Sequence, residues 1–371
     1  MRYYIIAGER SGDLHASNLL YSLKREDPQA EFRGMGGDYM QAAGCHLTAH
    51  YREMALMGFV EVLLHFRRVF RYLDLIKADL LKHRPDALVL VDFGGFNMKM
   101  AAFASKNGIP VHYYIAPKVW AWNQNRAFKL KKRVDHLYCI LPFEPEFFEK
   151  FDWQVEYVGN PLLDEKEKFQ PDPDFLQRNR LQAGKLVALL PGSRKQEINQ
   201  MLRTMIHLKT EFNEVDWVVA GVRNLPEEVY QEAMAAGLKV VFDQTYDVLH
   251  HARAAIVTSG TATLETALFK VPQVVVYKTS GISYAIAKRL IRVPYISLVN
   301  LIAGREVVKE LIQDDYNPAS VKSELQQILA DGPVRTEVLK GYQLLFDSIG
   351  HKKASQETAR LIYTSLGGKT S

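Results

Sequence analysis

The chain has 371 residues, 47% of them hydrophobic and 24% charged, a composition that builds a buried core and excludes wholesale disorder. Two domains are expected at this length, because single cores stop growing at roughly 250–300 residues. A formal charge of +5, from 47 Lys and Arg against 42 Asp and Glu, permits an anionic partner without naming one, and the two cysteines, Cys45 and Cys139, match neither a metal-ligand spacing nor a disulfide framework.

The first residues run into a strand at Tyr3–Ala7, without the basic start, apolar stretch and cleavage site of a signal peptide, so the cytoplasm is the expected location. No segment offers about 18 uncharged apolar residues, so no membrane-spanning helix is expected. Further buried strands are predicted at Ala87–Val91, Val111–Ile115, Leu137–Leu141, Leu186–Leu190, Trp217–Ala220, Ala254–Thr258 and Gln273–Tyr277. Each run is nearly continuous in apolar residues, the pattern of parallel strands covered on both faces. Strands alternating with helices give βαβ units, hence an α/β doubly wound fold. The polar, proline-bearing stretch from Asn160 to Asp174 reads as a linker between two such halves. From Pro318 onward the signals are helical only, and Ala354 to Leu366 reads as a separate terminal helix.

In open α/β sheets ligands sit in the loops at the carboxyl ends of strands, and two facing sheets would put a cleft between them. In the first such loop, Gly8-Glu9-Arg10-Ser11-Gly12-Asp13, the glycines allow close backbone approach and Glu9 can hold or deprotonate a hydroxyl; a plain turn with Asp13 as helix cap fits the same residues. The third βα loop, Asp92-Phe93-Gly94-Gly95-Phe96-Asn97, sets an acid suited to general-base work at a strand tip, with Asn97 as cap on the blander reading. After Val111–Ile115, Trp120 and Trp122 offer flat apolar faces to a sugar or acyl chain, or plug the domain surface. Leu190-Pro191-Gly192-Ser193-Arg194 ends the first strand of the second half, where helix-start amides and Arg194 suit a phosphate. Ser259-Gly260-Thr261-Ala262-Thr263-Leu264-Glu265 is the sharpest signal: small hydroxyl residues at a helix start suit a diphosphate, and Glu265, one turn in, suits a ribose diol, although a capping box shares these letters. Asn300-Leu301-Ile302-Ala303-Gly304-Arg305-Glu306 is predicted as a polar loop leading to a helix through Glu310.

The segment from Met57 to Arg84 carries Val60, Leu63, Leu64, Phe66, Val69, Phe70, Leu73 and Ile76 with Arg67, Arg68 and Arg71 among them, the pattern of a basic amphipathic helix at a membrane interface or of an ordinary helix packed on the sheet. Arg126, Lys129, Lys131, Lys132 and Arg133 form a second basic cluster. The histidines show no H-E-x-x-H pattern, so no metal site is assigned, and G-x-S-x-G is absent.

Taken together, the motifs resemble those of bacterial lipid-A-disaccharide synthases: Ala7-Gly8-Glu9 with Ser11-Gly12-Asp13, Met57-Gly58 with Val60-Glu61-Val62, Val119-Trp120-Ala121-Trp122, and the runs beginning at Leu189, Ser259 and Asn300. The matches run in order from residue 7 to about 311. The resemblance implies an inverting hexosyltransferase of the two-Rossmann GT-B type, with residues 1–160 as acceptor and membrane-docking domain, 161–345 as UDP-sugar domain, and a helix in 346–371 returning to the first domain. It implies UDP-2,3-diacylglucosamine as donor and 2,3-diacylglucosamine 1-phosphate, lipid X, as acceptor. The enzyme would need no cofactor or metal, bind no nucleic acid, and lie in the cytoplasm against the anionic inner-membrane surface; a homodimer stays open. Asp92 and Glu9 are the base candidates. Ser193, Arg194, Ser259, Gly260, Thr261, Ala262, Thr263 and Glu265 would hold UDP, and Gly12, Asn97, Trp120, Asn300, Gly304 and Glu310 would touch substrate. One departure stands out: the family commonly has D-x-P-D-F-N in the third βα loop, and Gly95 occupies the place of its second Asp. The competing readings are another GT-B enzyme using a UDP-N-acetylhexosamine, a peptidoglycan glycosyltransferase or UDP-sugar epimerase, and a lipid- or nucleic-acid-binding module, which would leave the phosphate-type loops unexplained.

Overall fold

The apolar runs become the middle strands of two parallel sheets in the computed structural model, which describes residues 1–55, 66–290 and 293–368. The first sheet has seven strands among the described residues: β1 (Arg2–Ala7), β2 (Glu31–Gly36), β3 (His46–His50), β4 (Ala87–Val91), β5 (Val111–Tyr114), β6 (His136–Cys139) and β7 (Glu156–Tyr157), in the order β3-β2-β1-β4-β5-β6-β7. The second has six: β8 (Leu186–Leu190), β9 (Asp216–Gly221), β10 (Lys239–Phe242), β11 (Ala252–Thr258), β12 (Gln273–Tyr277) and β13 (Lys309–Ile312), in the order β10-β9-β8-β11-β12-β13. Every residue of β4 and of β8 is buried, as a strand with helices on both faces requires.

Each order reverses direction once. The chain moves outward from β1 to β3 and then returns to place β4 on the other side of β1; β8 and β11 repeat the manoeuvre. The loops leaving β1 and β4, and those leaving β8 and β11, therefore flank the switch points where ligands of such sheets bind.

The chain divides into two compact units, residues 1–164 with 349–371, and residues 165–348. The stretch predicted as a linker is mostly ordered: Pro161–Lys168 is a helix, and its polar residues have structural work. Asp164 is buried and accepts from the backbone N–H groups of Ala354 and Ser355, at 3.2 and 2.9 Å, at the start of the last helix, Ala354–Ser365. That helix packs against the helix Arg10–Glu26, and Ala354, Ala359 and Ile362 join Ala16, Leu19, Leu20 and Leu23 in one core. Both cysteines are buried and free, and burial pushes the Cys45 thiol up to about 12, which removes it from thiolate chemistry.

Of the amphipathic segment, Val60, Leu63 and Leu64 lie outside the described residues, as do the side chains of Phe66, Arg67 and Arg68 at the start of the helix Phe66–His83. Farther along, Leu73, Ile76 and Leu80 are buried, as in a helix packed on the sheet. Phe70 and Arg71 are exposed, with the Lys99 ammonium 4.4 Å from the Phe70 ring centroid. No helix among the described residues is long and apolar enough to cross a membrane.

Candidate active site

The Asp92 loop, read from the sequence as the third βα loop, follows the fourth strand. It lies beside the β1 loop: a Cβ on Gly8 would come within 2.2 Å of the Phe93 ring, so the bare glycine lets the two loops close on each other. Glu9 is exposed at the N-cap of the helix Arg10–Glu26, its carbonyl accepting from the Asp13 N–H at 2.9 Å. Gly12 packs against β1 and β4, where a Cβ would meet Ala7 at 3.6 Å. Asp13 does not cap its own helix. Its buried carboxylate accepts from the N–H groups of Gly37, Tyr39 and Met40, holding the turn after β2.

The backbone at the tip of β4 is unusual. Asp92 and Phe93 both have positive φ, 47° and 52°, and Ile115, at the tip of neighbouring β5, has φ 64°. Positive φ costs a β-branched residue most, and such strain persists where its surroundings over-determine it. Those surroundings are visible: the Asp92 carbonyl accepts from the Tyr113 hydroxyl at 2.7 Å and from Asn97 Nδ2 at 2.8 Å. Asn97 is wholly buried, so it stands behind Asp92 as a clamp on the strand end. The Asp92 carboxyl is raised above the ordinary range by burial, opposed by Lys118 and by the Phe93 N–H. A carboxylate so raised is a stronger base. At Gly95 an added Cβ would meet no protein atom within 4 Å.

The two tryptophans part company. Trp120 is buried, donates from Nε1 to Glu144 Oε1 at 3.0 Å and stands edge-on to Phe143; Trp122 is exposed. Glu144 is an addition the sequence gave no signal for. Its Oε2 accepts from the N–H groups of Ile140 and Leu141, both at 3.0 Å, and burial lifts its pKa to about 7.

In the second unit, β8 turns through Gly192 at φ 108° into the helix Lys195–Leu208, with Ser193 and Arg194 exposed at its start and Arg194 paired with Glu197 at 3.0 Å. β11 turns through Gly260 at φ 155° and ψ −159°, a conformation left to glycine, into the helix Thr261–Leu268. The first amides of both helices have no intrahelical acceptor ahead of them, and the dipole adds positive potential there. Two hydroxyls predicted to hold a diphosphate turn inward instead. Ser259 Oγ donates to the Ile296 carbonyl at 2.7 Å; Thr263 Oγ1 donates to the Gly260 carbonyl at 2.8 Å and accepts from the Leu298 N–H at 3.2 Å. What remains outward is backbone at Gly260, Thr261 and Ala262, with the Thr261 side chain exposed. Glu265, one turn on, accepts from the Tyr246 hydroxyl at 3.4 Å, and burial lifts its pKa to about 7. Nothing in the sequence marked Tyr246.

The segment after β12 corrects a further expectation. Leu298–Ala303 is a helix, capped by Ser297 and closed by Gly304 at φ 66°, and Glu310 sits on strand β13 rather than on a helix. Asn300 and Glu310 lock this turn. Asn300 Oδ1 accepts from the N–H groups of Val307 and Val308 at 2.7 and 3.0 Å, and Nδ2 donates to Glu310 at 2.9 Å. Glu310 also accepts from the N–H groups of Ile296 and Ser297 and from Ser297 Oγ. Replacing Asn300 by Ala strands buried amides, so about 3 kcal/mol of stability should be lost, read as a lower melting temperature and faster hydrogen exchange at Val307 and Val308. Unchanged exchange there would contradict the lock.

Among the described residues no cluster of three or more His, Cys, Asp or Glu is arranged to hold a metal ion.

The sequence profile of the family described as lipid-A-disaccharide synthetase matches residues 3–362. A lipid-A-disaccharide synthase from Syntrophotalea carbinolica is 39% identical over 370 residues, covering 97% of this chain and 94% of that one. Among solved structures, the glycotransferase of kitacinnamycin aligns with a TM-score of 0.67 at 12% identity, covering 98% of this chain and 99% of that one. A UDP-GlcNAc 2-epimerase from Neisseria meningitidis bound to UDP-GlcNAc aligns with a TM-score of 0.63 at 11% identity, covering both chains fully, at 100%. At such identities the two structures speak to the fold alone.

Proposed function

The chain belongs to the lipid-A-disaccharide synthetase family, and from that premise we propose that it joins UDP-2,3-diacylglucosamine to 2,3-diacylglucosamine 1-phosphate, releasing UDP and the β-1,6-linked lipid A disaccharide 1-phosphate. It is a glycosyltransferase with two α/β units, and on this reading its donor is a UDP-sugar. The observation that carries the finer reading is the pairing, at the β8/β11 switch point, of an exposed arginine with two helix starts whose intervening glycine leaves backbone facing outward.

In the proposed reaction the oxygen of the acceptor's 6-hydroxyl forms a bond to the donor's anomeric carbon from the face opposite the diphosphate. Asp92 takes the hydroxyl proton, with Glu9 as the other candidate. The bond from the anomeric carbon to the diphosphate oxygen breaks, and its electron pair leaves with UDP. Arg194, Ser193 and the amides of Gly260 to Ala262 meet the charge that grows on the departing diphosphate. Glu265 accepts from the ribose hydroxyls, steadied by Tyr246. Asn300, Gly304 and Glu310 act at one remove, by fixing the turn to which Ser259 and Thr263 are bonded. Gly12 and Asn97 shape the two loops that carry the acids, and Trp120 steadies the loop after β5. Because the acceptor is lipid-borne, the enzyme works against the anionic inner-membrane surface, with the segment around Val60, Leu63, Leu64 and Phe66 to Arg71 as its docking face.

The test is product analysis by mass spectrometry with acylated and unacylated UDP-sugars. An acylated disaccharide phosphate with stoichiometric UDP is expected; UDP formed only from the unacylated donor would refute the assignment. A second outcome follows from Glu265. Burial raises its pKa to about 7, so the carboxylate that the ribose diol needs is lost as pH falls through that value. The donor KM should therefore rise on acidification below about pH 7 while the acceptor KM holds, and a donor KM insensitive to pH would remove Glu265 from the ribose.

A further inference from the structure

We propose that the segment from Trp122 to Arg133 is a second docking surface for an anionic lipid bilayer, separate from the arginines at 67, 68 and 71. Residues 121–134 contain Arg126, Lys129, Lys131, Lys132 and Arg133 and no acid. These five cations match the formal charge of +5 carried by the entire chain, so the remaining 42 Lys and Arg balance the 42 Asp and Glu. Charge concentrated in this way creates a local field that a balanced surface lacks.

The structure aims that charge outward. Ala127, Leu130 and Val134 are buried, which fixes the opposite side of the helix Arg126–Lys131 toward solvent. On that side Phe128 is 53% exposed with Lys129 and Lys132 exposed beside it, and Trp122, just before the helix, is 46% exposed. The Phe128 ring stands edge-on to Phe151 at 5.0 Å, and the Arg126 guanidinium lies 5.2 Å from the Trp122 ring centroid, so both aromatics are held in place. Lys131 is spent on the carbonyls of Phe151 and Asp152, at 3.1 and 2.6 Å. Among the described residues Lys129 and Lys132 form no ion pair. Exposed aromatics ringed by cations suit the headgroup layer, where rings seat at the acyl boundary and cations meet phosphates. A protein partner would call for complementary acids over a larger apolar area; the isolated rings and dense charge here favour a bilayer. The inference deepens the reading above, since a lipid-borne acceptor requires an enzyme seated on the bilayer.

The test is co-sedimentation of the whole protein, without sugar donor, with phosphatidylcholine vesicles carrying phosphatidylglycerol and with phosphatidylcholine alone. The combined variant Phe128→Ser, Lys129→Ser, Lys132→Ser should bind the anionic vesicles about tenfold more weakly or worse, with its melting temperature and its turnover of detergent-dispersed substrate unchanged. Arg67→Ser, Arg68→Ser, Arg71→Ser, run alongside, reports the other surface, and losses from the two sets should multiply. Wild-type binding by the Phe128 variant overturns the proposal, as does equal binding of the parent to phosphatidylcholine alone. Tighter binding to single-stranded RNA than to anionic vesicles overturns it in favour of a nucleic-acid surface. No sugar is present in this assay, so a failure of transfer activity bears on the enzymatic reading and not on this one.

Discussion

Replacing Arg194 with Ala should lower turnover by about 10²–10³-fold, the usual cost of removing one donor aimed at charge that develops in a transition state. The fold should hardly notice. Arg194 is exposed, and its pairing with Glu197 at 3.0 Å is a surface contact whose loss costs at most about 1 kcal/mol. Its place at the start of the helix Lys195–Leu208 gives its positive charge no dipole benefit. A cation kept where it does little for stability is more readily explained by an anionic ligand. Arg194→Lys keeps the charge and loses the two-pronged geometry, so it should fall between the parent and Ala. Turnover of the Ala variant within about threefold of the parent would remove Arg194 from the diphosphate.

Asp92→Asn should cost about 10²–10⁴-fold in kcat, the range for losing a general base. The pH profile separates this role from a structural one. Burial raises the Asp92 pKa, and only the carboxylate accepts a proton, so activity falls as pH drops through that raised value and the acidic limb sits above an ordinary aspartate's. In Asp92→Asn that limb should disappear. If Glu9→Gln removes it instead, the base belongs to Glu9. Gly95 offers a further discriminator, because a side chain there has open space and the site lies in the first turn of the helix Gly94–Lys106, where a negative charge is welcome. Gly95→Asp, made in the Asp92→Asn background, should recover part of the lost rate, while adding it to the parent should cost little stability.

The central strands of both sheets were legible because burial on two faces forces an unbroken apolar run. Ala87–Val91, Leu186–Leu190 and Gln273–Tyr277 were bounded as observed. The strands that escaped lie at or beside the edges, where that pressure lapses. β3, β7, β10 and β13 are edge strands, and β2 neighbours one. β2 also carries Arg33, a charge tolerated because Asp79 receives it at 2.7 Å from a helix more than forty residues onward. A single sequence does not announce such long-range compensation. The same limit governs the site. Gly8, Gly192 and Gly260 were readable, because a turn that must bring bare backbone forward has few residues to choose from. Whether Ser259, Thr263 and Asn300 turn outward to a ligand or inward to the chain was not, because the partners that claim them are carbonyls and amides, which every residue has. Glu144 and Tyr246 were silent for a related reason: their roles depend on what lies over them, not on neighbours in the chain.

The docking of Ala354–Ser365 onto Arg10–Glu26 has a consequence for biogenesis. A nascent chain leaving the ribosome has its first sheet long before the twelve residues that cover Leu19, Leu20 and Leu23, and those residues are translated after the entire second unit. Throughout elongation that oily seam waits uncovered, so truncating the chain before Ala354 leaves a polypeptide with both sheets and an open flank, one destined for chaperones or aggregates.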